Sequence, residues 1–166
     1  MLWAKSTGLG IPDIEVSIDG NILLTGEGFA GQNFFGVLKT VSGAHLGKLD
    51  GNNGQVHWLF EANEGIGGLG FPYLHQSQSG KIYMGGTVTG TAYFGNDTIM
   101  SRSGPDHYIA ELDSLGNYVW VQSMVGRPSG SNERVRSITS DPAGNIYYGG
   151  YFEGRLEYPS DTVFKR

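Results

Sequence analysis

The sequence predicts an all-β chain built from tandem four-stranded antiparallel units. Three observations carry that expectation: one short phrase written three times, tryptophans that recur at matching places, and turn chemistry with almost no helical periodicity. The phrase reads SIDGNILLTG over Ser17–Gly26, QSGKIYMGG over Gln78–Gly86 and DPAGNIYYGG over Asp141–Gly150. Gly20, Gly80 and Gly144 anchor it at spacings of 60 and 64 residues, and Trp3, Trp58 and Trp120 follow at 55 and 62. Leu49-Asp50 matches Leu112-Asp113, and NDTIM from Asn96 matches SDTVF from Ser160. Markers that keep one order with small slips indicate internal repetition.

Taken along the chain, LWAKS near the N-terminus reads as an outer strand, with residues 1–6 belonging to a preceding or closing unit. Residues 13–62 form a first unit and residues 71–125 a second. Residues 135–166 form a third that stops before its outer hairpin. Each unit holds two hairpin signals, as in SITSDPAGNIYYGGYF (Ser137–Phe152) and DHYIAELDSLGNYVWVQSM (Asp106–Met124). The Asp of each Asp-x-x-Gly turn can accept from the turn's own amides, and the Gly supplies the positive φ that closes a short loop. Two hairpins per unit make four strands, here labelled A to D, and four-stranded units in series are the pattern of β-propeller blades. In GNYVWVQSM, Tyr118 and Trp120 share one strand face while Val119 and Val121 share the other, which fits a sheet covered on both sides. The one stretch that could hold a helical turn is SNERVRS, Ser131–Ser137.

Composition narrows the function classes. At 39% apolar and 12% aromatic, the 166 residues are too hydrophobic for a disordered segment. A net charge of −5 without a basic run argues against binding nucleic acid through its phosphates. No cysteine is present, so disulfides and thiolate metal sites are excluded. No apolar run approaches the roughly 20 residues of a membrane helix.

DPAGNIYYGGYFEGRLEY, GTAYFGNDTIMSRSGPDHYIAELDSLGNYVWVQSM and LWAKS together resemble the SBBP β-propeller repeat family. That family carries a Gly-Asn-then-β-run ending in Gly, a Gly-x-x-x-Phe-Gly stretch, and a Leu-Asp-x-x-Gly-Asn-x-x-Trp hairpin. The likeness spans the chain and is best from about Gln76 to Met124. It implies a partial propeller of about two and a half four-stranded antiparallel blades, cut out of phase with the blade boundaries. It further implies a segment of a larger exported or cell-surface protein, many of whose relatives lack any assigned enzymatic role. A propeller closes with four to eight blades. The expected partners are therefore the rest of the same propeller or other protein chains, including further copies in one ring, with a glycan or surface protein as ligand. No cofactor, metal, nucleic acid or membrane span is expected.

Asp50, Asn52 and Asn53, or Asp113 and Asn117, could be calcium oxygens, but each turn offers one carboxylate where calcium takes six to eight oxygens; turn chemistry is the preferred reading. His45, His57, His75 and His107 have no metal-ligand spacing. GEGFAG at Gly26–Gly31 mimics a phosphate loop, yet β-prone residues follow it where a helix is required. The tryptophans recur at one repeat position, which points to packing between units before sugar stacking.

The connections between strands D and A (STGLGIPDIE, EANEGIGGLGFPY and SMVGRPSGSNERVR) and the stretches between B and C differ from unit to unit. In a propeller these emerge on one face, and rigid scaffolds carry function on such loops. The binding candidates are Glu64, Phe71, Tyr73, Arg102, Asp106, Arg127, Asn132, Glu133 and Arg134; no catalytic residue is assigned. The alternatives are a polysaccharide-cleaving hydrolase or lyase using Glu64, Asp106, Glu133 or Glu153 as an acid/base pair, and a carbohydrate-binding module using Tyr73 or Tyr151.

Overall fold

The structure is a computed structural model that describes residues 3–102, 104–127, 134–151, 155–158 and 161–164. Among the described residues there is no helix. The strands in order are β1 (Gly10–Val16), β2 (Ile22–Gly28), β3 (Asn33–Phe34), β4 (Val37–Leu38), β5 (Gly43–Leu49), β6 (Val56–Glu61), β7 (Asn63–Gln76) and β8 (Ile82–Phe94). They continue with β9 (Asp97–Met100), β10 (Asp106–Leu112), β11 (Tyr118–Arg127), β12 (Arg134–Ser140), β13 (Ile146–Tyr151), β14 (Arg155–Tyr158) and β15 (Asp161–Phe164).

All pairings are antiparallel. The first sheet has the order β1-β2-β5-β6. The second runs β7-β8-β10-β11 and continues through β14 and β15, with β9 beside β8. β12-β13 and β3-β4 are separate two-stranded hairpins, and among the described residues no sheet closes on itself. The turns form as their residues dictate. Asp113 Oδ1 accepts from the amides of Leu115 and Asn117, each at 2.9 Å, while its Oδ2 accepts from Asn117 Nδ2. Asp50 accepts from the Asn52 and Asn53 amides, and Asp141 repeats the Asp113 pattern on Asn145. These hydrogen bonds favour the ionised form, so the Asp113 and Asp141 carboxyls titrate below their usual range.

The core lies between the layers. Leu23, Ala44 and Leu46 of the first sheet meet Leu74, Ile82, Met84, Phe94, Tyr108 and Leu112 of the second. The second sheet's other face sets Tyr83, Ile109 and Met124 against Ile138, Ile146 and Tyr148 of β12-β13. The first sheet's outer face holds Leu9, Leu24, Phe34 and Leu49, with Trp3 packed on them. Strands β5 and β10 are buried at every position because each has a layer on both sides. Burying one such large apolar side chain stabilises by about 1.5–3 kcal/mol.

Two of the tryptophans, Trp3 and Trp58, pack against the turn of a following outer hairpin. A Cβ placed on Gly54 would meet the Trp3 ring at 2.8 Å, and one on Gly116 would meet the Trp58 ring at 2.5 Å. Both glycines sit in the turn of an outer hairpin with positive φ, so the position needs glycine for its backbone as well as for space. Carboxylates complete the junction. The Leu74 amide donates to Asp13 Oδ2 at 2.9 Å, and the Gln76 amide to Glu15 Oε2 at 3.0 Å. Thr25 Oγ1 donates to Pro72 O at 2.7 Å. Backbone groups along the outer edge of β7 thus find partners on the neighbouring sheet, which covers an edge that would otherwise be open to other strands.

Three local expectations are corrected. Arg134–Ser137 begin strand β12 and form no helical turn, because pairing with β13 from Arg134↔Tyr151 to Ser140↔Ile146 satisfies their backbone; residues 131–133 lie outside the described residues. Trp3–Thr7 carry no strand pairing; side chains hold this segment, with Trp3 Nε1 donating to Gly51 O and Lys5 Nζ to Gly54 O. The connection EANEGIGGLGFPY is mostly strand. β7 starts at Asn63 because β8 is long enough to pair with it as far as Asn63↔Tyr93, the glycines taking up irregularities at Glu64/Gly67 and Gly70/Tyr73.

Candidate functional site

Where the two sheets and the start of β12 meet lies a partly open cavity of about 550 Å³. The first sheet contributes Leu9, Gly10, Glu27 and Gly28, followed by Phe29 and Gln32 from the loop after β2. The second contributes Glu64 and Gly68–Gly70 from β7, with Thr87 and Thr89 from β8. Pro105 and Arg134 complete the lining. The volume falls in the range of small-ligand sites, ~300–1,000 Å³.

Strand length makes the cavity. The part of β7 from Pro72 to Gln76 is clasped by β1 and β2, whereas its preceding part reaches past them and forms a wall. In that wall Gly68 pairs with Thr89 and Gly70 with Thr87. Glu64 Oε2 lies 3.7 Å from where a Cβ would stand on Gly68, and Glu27 Oε2 lies 3.4 Å from the corresponding point on Gly70. Thr87 Oγ1 donates to Gly70 O at 3.2 Å.

Behind the lining lies a charged pair. Lys39 Nζ is buried 3.2 Å from Glu61 Oε1, and Glu61 also accepts from the Thr40 amide and hydroxyl. Burial lowers the Lys39 ammonium below its ordinary value, opposed by Glu61 and Glu64. Tyr108 is fully buried, its hydroxyl without a hydrogen-bond partner, and burial first and Glu27 second raise it well above the usual phenol range. His45 is also buried with both ring nitrogens unpartnered, and His107 is buried beside the Tyr151 backbone. Burial pushes His45 down to about 3 and His107 down to about 4.

Of the sequence-derived candidates, Glu64 and Arg134 come together at the cavity. Arg102 is exposed just before β10, and its amide donates to Asp106 Oδ2 at 2.9 Å. Asp106 is only 3% exposed and follows the lining residue Pro105. Tyr73 is half-buried and packs against the Tyr83–Ile109 cluster. Phe71 and Arg127 are described as backbone positions of β7 and β11. Asn132, Glu133 and Glu153 lie outside the described residues. Tyr151 is 43% exposed on β13.

Glu27 is the lining residue that sequence reasoning missed. It sits inside GEGFAG, where the glycines draw attention away from the carboxylate. The available signal was its place at the end of a predicted strand, next to a stretch that differs between units. No protein-family model matches the chain, and no curated protein matches it.

Proposed function

We propose that this chain is a non-enzymatic segment of a β-propeller, of the SBBP repeat type, within a larger exported or cell-surface protein. It acts as a scaffold and recognition module through the face that opens on the Glu64–Arg134 cavity. The observation that carries this reading is the repeated junction: Trp3 on Gly54 and Trp58 on Gly116, two like contacts between successive layers. Repetition of one packing contact in series is how repeat architectures build a continuous core. The exposed Ile14, Val16, Tyr147 and Tyr151 fit surfaces that meet further units or other chains.

The test is a glycan and surface-protein binding screen on the full chain, run beside polysaccharide turnover assays. Binding without turnover, weakened by substitutions at Glu64 or Arg134, is the expected result. Turnover that Glu64→Gln abolishes would replace this reading with the hydrolase or lyase one. No binding to any glycan or protein would remove the recognition role.

A further inference from the structure

Positions counted from the glycine of each recurring turn identify two faces that the stacking leaves open. Ile14, Leu74 and Ile138 each stand six residues before that glycine, Gly20, Gly80 or Gly144. Leu74 is buried where the first sheet meets the second, and Ile138 where the second meets β12-β13. Ile14, their counterpart on β1, is 62% exposed, and Val16 on the same strand face is 68% exposed. Leu23, Tyr83 and Tyr147 each stand three residues after the glycine. Leu23 and Tyr83 are buried in those same two junctions, whereas Tyr147 on β13 is 55% exposed.

The two internal junctions therefore share one polarity. A face bearing Leu23 or Tyr83 inserts, and a face bearing Leu74 or Ile138 receives it. β1 keeps a receiving face open, and β12-β13 keeps an inserting face open. Polar groups follow the same register. Asp13 and Glu15, which hold the Leu74 and Gln76 amides, have Ser137 and Thr139 as counterparts on β12. Both are exposed, and Thr139 pairs directly with Tyr147. The edge of β1 is guarded against strand addition, since Pro12 has no amide and the Ile14 amide donates to Asp13 Oδ1 at 2.9 Å. What β1 offers is its apolar face.

We propose that this chain associates head to tail with a second copy of itself. The Tyr147 face of β12-β13 in one copy covers the Ile14–Val16 face of β1 in the next, repeating the internal junction between chains. The proposal rests on the serial stacking in the function proposed above and needs no ligand. A contact between unlike faces leaves one face free at each end, so assembly continues past two copies into a ring or an open chain.

Sedimentation of the full chain over a range of concentrations tests this. The average mass is expected to rise with concentration beyond that of two copies. Ile14→Asp and Tyr147→Asp should each weaken association about tenfold or more, because a charge then faces the apolar contact. Mixing these two variants should yield a one-to-one pair, since each keeps the face the other has lost. Unfolding midpoints should match the unaltered chain, because both side chains are exposed; where one does not, Val16→Asp or Thr139→Lys takes its place. A monomer at every concentration, association that survives both substitutions, or a mixture that forms no pair overturns the proposal. A monomer in which Trp58→Ala and Gly116→Ala still couple energetically overturns only the second copy, with another polypeptide left to cover the faces. Loss of that coupling as well overturns the serial stacking beneath it.

Discussion

The four-stranded sheet β1-β2-β5-β6 and the corresponding strands β7-β8-β10-β11 of the larger second sheet agree at their centres and differ at one end. Their third strands, β5 and β10, are both seven residues long and buried throughout. Their first two strands differ: β1 and β2 have seven residues each, while β7 and β8 have 14 and 13. The common part is what stacks, and the extra length is what walls the cavity. A repeat can therefore keep its packing contacts while growing a site at the end of a strand, because elongation adds ladder hydrogen bonds without disturbing the stacked faces.

Acid offers the largest expected effect. His45 faces the outer cluster of the first array, with Phe34 edge-on at 5.1 Å, and His107 faces β12-β13, with Tyr148 at 6.3 Å. Both are neutral when folded, with values near 3 and 4 against about 6.5 unfolded. The unfolded chain binds more protons once pH falls below 6.5, so stability falls as pH drops and rises with it. At about 1.4 kcal/mol per unit, the two rings together cost up to roughly 6 kcal/mol by pH 4. Urea unfolding between pH 7 and pH 4.5 should give a slope near two protons, and near one in His45→Phe or His107→Phe. A flat profile would show that neither ring stays neutral when folded.

The glycine turns give the next contrast. Gly116 carries φ +85° beneath Trp58, whereas Gly20 carries φ +80° with open space around it. Gly20→Ala should cost about 1–2 kcal/mol for the left-handed backbone alone. Gly116→Ala should cost about 2–5 kcal/mol, since overpacking adds about 1–3. Denaturant midpoints measure both; equal losses would mean that Trp58 yields freely. Making Trp58→Ala in the Gly116→Ala background should recover part of the difference, visible as coupling in a double-mutant cycle.

The smallest effect belongs to the clasp on β7. Asp13→Ala removes the acceptor of the Leu74 amide, and Glu15→Ala that of the Gln76 amide. Each should lower stability by about 1 kcal/mol, because the bonds are partly solvated and water replaces them. Faster amide exchange at Leu74 and Gln76, with β8–β10 unchanged, would locate the loss at the junction. Unchanged exchange there would mean that apolar packing alone holds β7.

Much of the fold was legible because it is local. The Asp113–Asn117 and Asp141–Asn145 turns rest on hydrogen bonds within four residues, so the sequence pattern carries them directly. The packing role of the tryptophans was legible because repetition exposes it. The site was less so. Glu64 was placed on a loop, yet it lies on β7, and Asp106 was expected at the surface, yet it is buried. The first error has a plain cause: how far a strand extends depends on whether its neighbour is long enough to pair with it. β8 reaches Phe94, so the glycine-rich run beside it becomes strand.

Taken alone, the sequence determined the all-β class, the hairpin turns and the serial repetition, since each follows from interactions among residues a few positions apart or from a pattern written more than once. Only the tertiary structure decided that Glu27 and Glu64 overhang the same stretch of β7, and that His45 and His107 are sealed from water. Those outcomes depend on register and layer spacing between segments tens of residues apart, and side-chain packing settles them once the layers meet.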